Sequence, residues 1–404
     1  MEAEIFSFSQ RGERMPASPI RKLHGMAEAA KKRGIKVYHL NIGQPDIVTP
    51  EPIIKEFTCF EEKILEYSPS TGIPSLREAI AGYFSRHRIS VHPDDIIVTT
   101  GGSEALLFSL AAICDPGDEI IIPEPFYANY LGFATMLSIK IVPLPTEITN
   151  GFHLPVRQTI EKLVTPRTRA ILFSSPGNPT GTVFLRKELE GLADVVSRTG
   201  IYLIADEVYR EFVYDLDTDY VSVLELAEIS DHVIVTDSIS KRFSSCGARI
   251  GCIISRNQAF LHVVEKFAQA RLSPPTVGQI AAEAGYRMDP SYFDPIRNEY
   301  KKRRDTVAQG LSVIPGTSFR VPEGAFYFMA KLPLDDADNF CRFLLTDFTQ
   351  DAKTVMLAPG AGFYFTPGSG ADEVRIAYVL KSEKLADAMD ILRRGIEAYQ
   401  ALMV

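Results

Sequence analysis

The feature that most limits how this chain can fold is the regular alternation of short apolar strands with helices between residues 95 and 255. Strands rich in β-branched or apolar residues are predicted at Asp95–Thr99 and Ile201–Ala205, and a helix is predicted at Glu188–Thr199. Parallel neighbouring strands need such crossover helices, which then cover both faces of the sheet. The alternation therefore predicts an α/β fold built on a mostly parallel, helix-covered sheet.

The pattern changes after the predicted helix Phe260–Arg271. Further strands are predicted at Glu323–Phe328, Met356–Gly360 and Glu373–Tyr378, and a C-terminal helix is predicted at Glu383–Leu402. With 404 residues, the chain is also longer than one ordinary hydrophobic core supports. We therefore expect a second, smaller domain of the α+β type.

Composition excludes several classes of function. A formal net charge of -8 argues against a nucleic-acid-binding protein, which would normally be basic. The five cysteines are scattered without a C-x-x-C pair, and the histidines show no metal-ligand spacing, so neither a disulfide framework nor a metal site is expected. The N-terminal residues lack the pattern of a signal peptide, and the apolar runs are too short to span a bilayer. A cytoplasmic protein that binds neither nucleic acid nor membrane is expected.

Most of the predicted strands in the first region end in glycines or in polar or aromatic side chains. Lys241 stands between serines in the turn after the strand His232–Val235, and Asp206 directly follows the apolar strand Ile201–Ala205. In a doubly wound sheet the carboxyl ends of the parallel strands share one edge, where ligands usually bind. We therefore expect the strand-end groups to converge, and the remaining members are Gly102, Ser103, Tyr127, Asn178, Tyr209, Ser238 and Arg249.

These residue types match the parts of one cofactor. Backbone N–H groups, a serine and an arginine suit a phosphate, and a lysine suits an aldehyde, with which it forms a Schiff base. A buried carboxylate suits a protonated ring nitrogen, whereas tyrosine and asparagine suit a phenolate oxygen. Tyr127 either packs in the core or offers its face to a planar ring. If the groups converge, they predict a site for pyridoxal 5'-phosphate.

The sequence also resembles a known family, the class I aminotransferases that use pyridoxal phosphate and have fold type I, with aspartate aminotransferases as the nearest type. The resemblance covers nearly the whole chain and rests on five motifs taken together. They are Y-S-P-S-T-G-I-P-S-L-R at residues 67–77, N-P-T-G at 178–181, A-D-E-V-Y at 205–209, S-I-S-K at 238–241 with G-A-R-I-G at 247–251, and V-R-I-A-Y at 374–378.

The resemblance implies a role for each residue that meets the cofactor ring. Lys241 is expected to hold the cofactor covalently and Asp206 to pair with its ring nitrogen. Tyr209 and Asn178 are expected to hydrogen-bond the ring oxygen, and Tyr127 to stack on the ring. The implied catalytic residues are Lys241, Asp206 and Tyr209.

The resemblance likewise implies a phosphate site and a partner subunit. Ser238, Arg249 and the Gly102–Ser103 backbone are expected to bind the phosphate. Tyr67 is expected to reach the phosphate in the site of a second subunit, which implies a homodimer with shared sites.

Substrate residues and domain limits follow from the same resemblance. Arg375 is expected to bind the α-carboxylate, with Gly43 and Asn178 completing the substrate site. The implied division gives a large cofactor domain of residues 50–290. A small domain joins residues 1–49 to residues 291–404.

The expected function is a ping-pong exchange of an amino group between an L-amino acid and a 2-oxo acid, with aspartate and 2-oxoglutarate as the best pair. Ser103 stands where many relatives have a lysine, which weakens the aspartate assignment. Arg271 either supplies the missing cation or is solvated at its helix end, and we favour solvation. The alternatives are a pyridoxal-phosphate C–S lyase of the same fold and a non-catalytic ligand sensor.

Overall fold

The strands follow one another through the whole chain, of which the computed structural model describes residues 8–61, 63–214 and 220–402. Their bounds in chain order are β1 (Lys36–His39), β2 (Ile96–Thr99), β3 (Glu119–Glu124), β4 (Lys140–Pro145), β5 (Thr168–Ser174), β6 (Tyr202–Asp206), β7 (Val233–Ser238), β8 (Gly251–Ile254), β9 (Ser318–Phe319), β10 (Tyr327–Lys331), β11 (Lys353–Met356), β12 (Ala358–Pro359) and β13 (Glu373–Ala377).

Helices separate most of these strands. The α-helices are α1 (Gln10–Arg14), α2 (His24–Lys32), α3 (Glu51–Thr58), α4 (Pro74–Arg86), α5 (Gly102–Ile113), α6 (Asn129–Leu137), α7 (Arg157–Glu161), α8 (Arg186–Thr199), α9 (Ile239–Arg242), α10 (Gln258–Arg271), α11 (Thr276–Tyr286), α12 (Phe293–Ser312), α13 (Ala337–Thr346) and α14 (Ser382–Gln400). In the described part of the chain, none of them combines the length and apolar character needed to cross a bilayer.

The main sheet has seven strands within the described residues, in the order β2-β8-β7-β6-β5-β3-β4. The pairs from β7 through β4 are parallel, whereas β8 runs antiparallel to both β2 and β7. Every residue of β7 is buried, which explains why the strands read as apolar runs. The predicted α/β fold with a mostly parallel, helix-covered sheet is confirmed.

Both faces of this sheet carry a hydrophobic core. Val98 and Leu203 pack into the core on one face, whereas Ile97 and Ile204 pack into the core on the other, as expected for alternating strand residues. A third core lies around the antiparallel sheet β12-β13-β10-β9 and joins Leu23 and Tyr38 to C-terminal residues such as Leu392. The N-terminal segment therefore packs with the C-terminal third of the chain.

One strand is shorter than the sequence predicted, because the first part of its segment forms hydrogen bonds to a turn. The strand predicted at Glu323–Phe328 begins only at Tyr327. The N–H groups of Glu323 and Gly324 both donate to the carbonyl oxygen of Gly181, at 3.1 and 2.8 Å. These two residues are therefore used to hold the turn that follows Asn178 and are not available to a sheet.

The strand β4 was not among the predicted strands, and it contains Pro143 and Pro145, which are unusual in a central strand. Within the described residues, β4 lies at the end of the main sheet and pairs with β3 on one side only. A proline is tolerated there because an edge strand leaves part of its backbone unpaired.

Candidate active site

Lys241 lies in the short helix α9, which begins directly after β7. The hydroxyl of Ser238 accepts a hydrogen bond from the N–H of Ser240 at 3.1 Å and donates to the carbonyl oxygen of Ile250 at 2.9 Å, which fixes this turn to the neighbouring chain segment. The Nζ atom of Lys241 donates to the carbonyl oxygen of Gly43 at 2.8 Å. Its hydrogen-bond partner is thus a neutral group that an incoming ligand can replace.

Ser238 and Arg249 lie close to the glycines at the N-terminus of α5, beside this turn. An ideal Cβ placed on Gly102 would lie 3.7 Å from the Cβ of Ser238, and one placed on Gly101 would overlap the guanidinium of Arg249. The backbone N–H groups of Gly102 and Ser103 belong to the first turn of the helix, where such groups have no partner within the helix. Together these residues have the donors and charge that bind a phosphate.

Asp206 ends β6 and is buried. One carboxylate oxygen accepts a hydrogen bond from the hydroxyl of Tyr130 at 3.0 Å, and the other accepts one from the N–H of Val208 at 3.4 Å. Burial raises the pKa of Asp206 to about 7, although these donors and the charge of Lys241 oppose the shift. A buried carboxylate with neutral partners fits a ligand that brings a cationic nitrogen.

Tyrosines surround this carboxylate. The hydroxyl of Tyr209 lies 2.7 Å from that of Tyr327, and burial raises the pKa of Tyr209 well above its usual value, with Tyr327, Tyr127 and Asp206 adding to the effect. The ring of Tyr127 meets that of Tyr130 edge to face at 5.5 Å. Tyr127, Tyr209 and Asp206 therefore lie within electrostatic reach of one another, as the strand-end argument expected.

Arg375 on β13 is a buried cation, with 1% of its surface exposed. One terminal nitrogen donates to the side-chain oxygen of Asn178 at 2.9 Å and the other to the carbonyl oxygen of Asn41 at 2.5 Å. Its Nε atom is buried and has no hydrogen-bond partner among the described residues. Burial lowers the pKa of Arg375, and its hydrogen-bond partners in the described chain are both neutral. The guanidinium is therefore prepared for a carboxylate from a ligand.

The rings that enclose Arg375 connect it to the lysine. The rings of Tyr327 and Phe363 lie 4.5 and 4.8 Å from the guanidinium carbon. An ideal Cβ on Gly43, whose carbonyl oxygen binds Lys241, would overlap the ring of Tyr327. Only a residue without a side chain fits at this close approach of the loop to the ring.

Sequence reasoning missed three residues that the structure places in this arrangement: Tyr130, Tyr327 and Asn41. Tyr327 was assigned only to an apolar strand, although its hydroxyl and ring meet Tyr209 and Arg375. The one available signal for Tyr130 was its position in the polar-aromatic segment that begins at Tyr127. Asn41 carried no signal, because it acts through its carbonyl oxygen.

Tyr67 stands apart from these hydrogen bonds. Its side chain is 80% exposed, in the segment that precedes α4. Gln279 holds the same segment through the hydroxyl of Ser68 at 2.7 Å and the N–H of Ile73 at 2.8 Å. The segment is thus anchored while Tyr67 faces outward.

Arg271 is not solvated, so the expectation we favoured for it is wrong. Its guanidinium forms an ion pair with Glu104 at 2.7 Å and donates to the carbonyl oxygen of Ser70 at 3.0 Å. Glu104 also accepts a hydrogen bond from the N–H of Thr100 at 2.7 Å. Arg271 therefore fixes the entry of α5, and its charge is already neutralised within the chain.

The arrangement was compared with known proteins. Residues 35–392 match the family model described as aminotransferase class I and II. An aspartate aminotransferase of Thermotoga maritima is 33% identical over 384 residues, which cover 95% of this chain and 97% of that relative. An aromatic-amino-acid aminotransferase of Thermococcus litoralis is 33% identical over 401 residues, covering 97% and 98%.

Similarity extends to solved structures. The crystal structure of the Thermotoga maritima aspartate aminotransferase gives a TM-score of 0.87 at 32% sequence identity. The alignment covers 96% of this chain and 100% of that one. The order of elements, and not only the motifs, is therefore shared along nearly the full length.

Proposed function

The chain belongs to the class I and II aminotransferase family, and from that membership we propose that it moves the amino group of aspartate to 2-oxoglutarate. The protein is a pyridoxal-phosphate-dependent transaminase, as family and relatives indicate. The observation that carries the proposal for its site is the position of Arg375. Among the described residues this buried guanidinium has no carboxylate as a hydrogen-bond partner, and it is linked to Lys241 through Tyr327 and Gly43.

We propose that the groups described above hold the cofactor. The cradle of Gly102, Ser103, Ser238 and Arg249 fits its phosphate, and the buried carboxylate of Asp206 fits its ring nitrogen. Bound pyridoxal phosphate supplies an aldehyde that forms a covalent bond with an amine and a ring that accepts the electron pair left behind when a proton leaves the α-carbon.

Two residues orient the amino acid in this proposal. Arg375 binds the α-carboxylate through paired hydrogen bonds, and Asn178 holds one of its nitrogens in place. Because the guanidinium is buried between the rings of Tyr327 and Phe363, little water competes for it. The α-carbon is thereby presented to the side of the site that carries Lys241.

Lys241 and Asp206 perform the proton chemistry. With the cofactor bound, Nζ of Lys241 would accept the proton from the α-carbon and would later donate a proton to complete the exchange. Asp206, held by Tyr130 and Val208, keeps a proton on the ring nitrogen through its negative charge. Tyr209 and Asn178 are assigned to the ring oxygen, and Tyr127 to the face of the ring. The 2-oxo acid acceptor uses the same groups in reverse order.

We also propose that the active form is a homodimer. The exposed side chains of Ile64, Leu65 and Tyr67 are 70%, 65% and 80% accessible and follow closely along one segment. Such a group of exposed apolar residues is typical of a surface that a partner covers. In this proposal Tyr67 reaches the phosphate in the site of the second subunit.

A division into two domains is part of the same proposal, with residues 50–290 as the large domain and residues 1–49 with 291–404 as the small one. The third hydrophobic core supports it, because this core unites Leu23 and Tyr38 with the C-terminal region. Tyr209, a residue of the proposed site, also packs in that core. The proposed boundary between the two domains therefore passes through the site.

The substrate assignment is tested by adding single amino acids to the cofactor-loaded protein while its visible absorbance is followed. We expect aspartate to bleach the band of the lysine-bound cofactor and to yield one equivalent of oxaloacetate. Pyruvate and ammonia formed from cystathionine, with the band retained, would instead identify a C–S lyase. A protein that binds amino acids without any change of band would support the sensor alternative.

Replacing Arg375 by lysine tests the carboxylate site. An ammonium group cannot bond Asn178, the Asn41 carbonyl and a carboxylate in one plane. We expect kcat/KM for aspartate to fall about tenfold to a hundredfold, mainly through KM. The matched control is Arg271→Lys, whose ion pair with Glu104 lies outside the proposed substrate site. An unchanged KM in Arg375→Lys would contradict the assignment.

A further inference from the structure

The segment before α2 packs directly over the Arg375 site. The carbonyl oxygen of Ile20 accepts a hydrogen bond from the side chain of Asn41 at 2.8 Å, and the carbonyl oxygen of Asn41 accepts one from Arg375 at 2.5 Å. Ile20 also packs against the cluster that contains Phe363, whose ring encloses Arg375. Ile20 is therefore two hydrogen bonds from the proposed α-carboxylate site.

The next residue, Arg21, carries a charge that no acidic group in the described part of the chain neutralises. Its side chain is exposed, and it has no hydrogen bond or ion pair with any described residue. The neighbouring Lys22 differs, because it forms an ion pair with Asp338. A cation on a segment fixed by Ile20, yet without a partner of its own, is available to a ligand.

Arg21 directly follows Ile20, so it lies on the segment that packs against the Arg375 site. Burial raises the pKa of Tyr127 to about 12, and the charges of Arg375 and Arg21 both oppose this shift. Tyr127 therefore lies within electrostatic reach of both cations. A substrate held by Arg375 would therefore lie near the segment that carries Arg21.

The other cations near the site are already used. Arg271 is neutralised by Glu104, and Arg249 belongs to the phosphate cradle. Lys241 bonds the Gly43 carbonyl and is assigned to the chemistry. Ser103 contributes a neutral side chain at the helix start. Arg21 is thus the remaining cation in the described part of this region for a second negative charge on the substrate.

We propose that Arg21 binds the distal carboxylate of dicarboxylic substrates, while Arg375 binds the α-carboxylate. This inference rests on the proposed function, since it concerns the same site and the same reaction. An arginine suits this role because its planar fork of donors matches a carboxylate. Because Arg21 would contact the distal carboxylate and not the α-carbon, its proposed role is in substrate specificity and not in the proton chemistry.

The test compares half-reactions of the cofactor-loaded protein with aspartate and with alanine, in the absence of any 2-oxo acid. The measured quantity is the ratio of the two second-order rate constants. In Arg21→Gln we expect this ratio to fall about tenfold to a hundredfold, the effect of losing a charge-assisted hydrogen bond. Arg21→Lys is expected to keep part of the preference, because it keeps the charge.

Lys22→Gln is the matched control, since it removes an adjacent positive charge that is already paired. An equal fall of the ratio in Lys22→Gln and Arg21→Gln would show a general charge effect and overturn the proposal. So would an unchanged ratio in Arg21→Gln.

A binding measurement separates this inference from the proposed function. Succinate and butyrate have the same number of carbons but differ by one carboxylate, and neither undergoes transamination. Calorimetry should show that Arg21→Gln weakens the binding of succinate more than the binding of butyrate, by the same factor of about ten to a hundred. If the wild-type protein converts no amino acid but keeps this Arg21-dependent preference, the proposed function fails and the binding assignment stands. If it converts aspartate without the preference, only the Arg21 assignment fails.

Discussion

Substitution of Lys241 by alanine should abolish transamination. The proposed mechanism requires one amine both to hold the cofactor covalently and to carry the α-proton, and alanine provides neither function. We expect kcat to fall by at least about 10⁴-fold, the upper range for losing a general base. The measurement is the release of 2-oxo acid from aspartate, together with the visible absorbance of the lysine-bound cofactor, which should disappear.

Lys241→Arg is the matched control for charge. Arginine keeps a cation near the Gly43 carbonyl, but its guanidinium stays protonated and does not act as the nucleophile. Both variants should fold, because the Lys241 side chain makes a single hydrogen bond to a backbone oxygen. Added small amines should restore part of the activity of Lys241→Ala. Substantial turnover of that variant without added amine would disprove the assignment.

Substitution of Asp206 by asparagine should slow removal of the α-proton far more than it weakens cofactor binding. The neutral amide keeps a hydrogen-bond acceptor for Tyr130 but no longer stabilises a proton on the ring nitrogen. We expect the rate of proton removal to fall roughly 10²–10³-fold, as for the loss of one preorganised electrostatic group. Deuterium at the α-carbon, followed in single turnovers, measures this step. An unchanged rate of proton removal would contradict the electrostatic role assigned to Asp206.

Asp206→Asn should impair the reaction of the cofactor-loaded protein, but it should stabilise the folded state of the cofactor-free protein. Burial raises the pKa of Asp206 from 3.8 to about 7, so ionisation is less favourable in the folded state than in the unfolded state. The contribution of Asp206 to stability therefore declines as the pH rises from about 4 to about 7, and it stays constant above that range. Asparagine does not ionise and does not show this decline.

Cofactor-free Asp206→Asn should therefore be more stable than the cofactor-free wild type at pH values above about 7, by roughly 2–4 kcal/mol. The difference in the free energy of unfolding, measured by urea titration at several pH values, should grow between about pH 4 and about pH 7. Excess pyridoxal phosphate should reverse the order, because it stabilises the ionised carboxylate of the wild type. A difference that does not depend on pH would contradict a raised pKa for Asp206.

The expectations of fold depended on local patterns and were confirmed for the main sheet. Apolar strands alternate with helices along the chain. Each is identified by its hydrophobic period and its length, which are properties of a short segment. The end of β6 was also readable, since Asp206 closes this strand as expected, whereas β7 extends to Ser238, three residues beyond the predicted end at Val235. The edge strand β4 was not among the predicted strands; its prolines are unusual in a central strand, and its place at the edge of the sheet accommodates them.

The sequence by itself determined the α/β class, the strand ends and the residue types that suit pyridoxal phosphate. Only the tertiary structure decided which distant groups meet them: Tyr130 on Asp206, Tyr327 between Tyr209 and Arg375, and Arg271 on Glu104. The physical reason is that hydrophobic periodicity specifies a segment and the face it buries, whereas side-chain contacts depend on how separate elements pack. The link from Arg375 through Asn41 to Ile20 joins residues far apart in the chain, and no local pattern contains it.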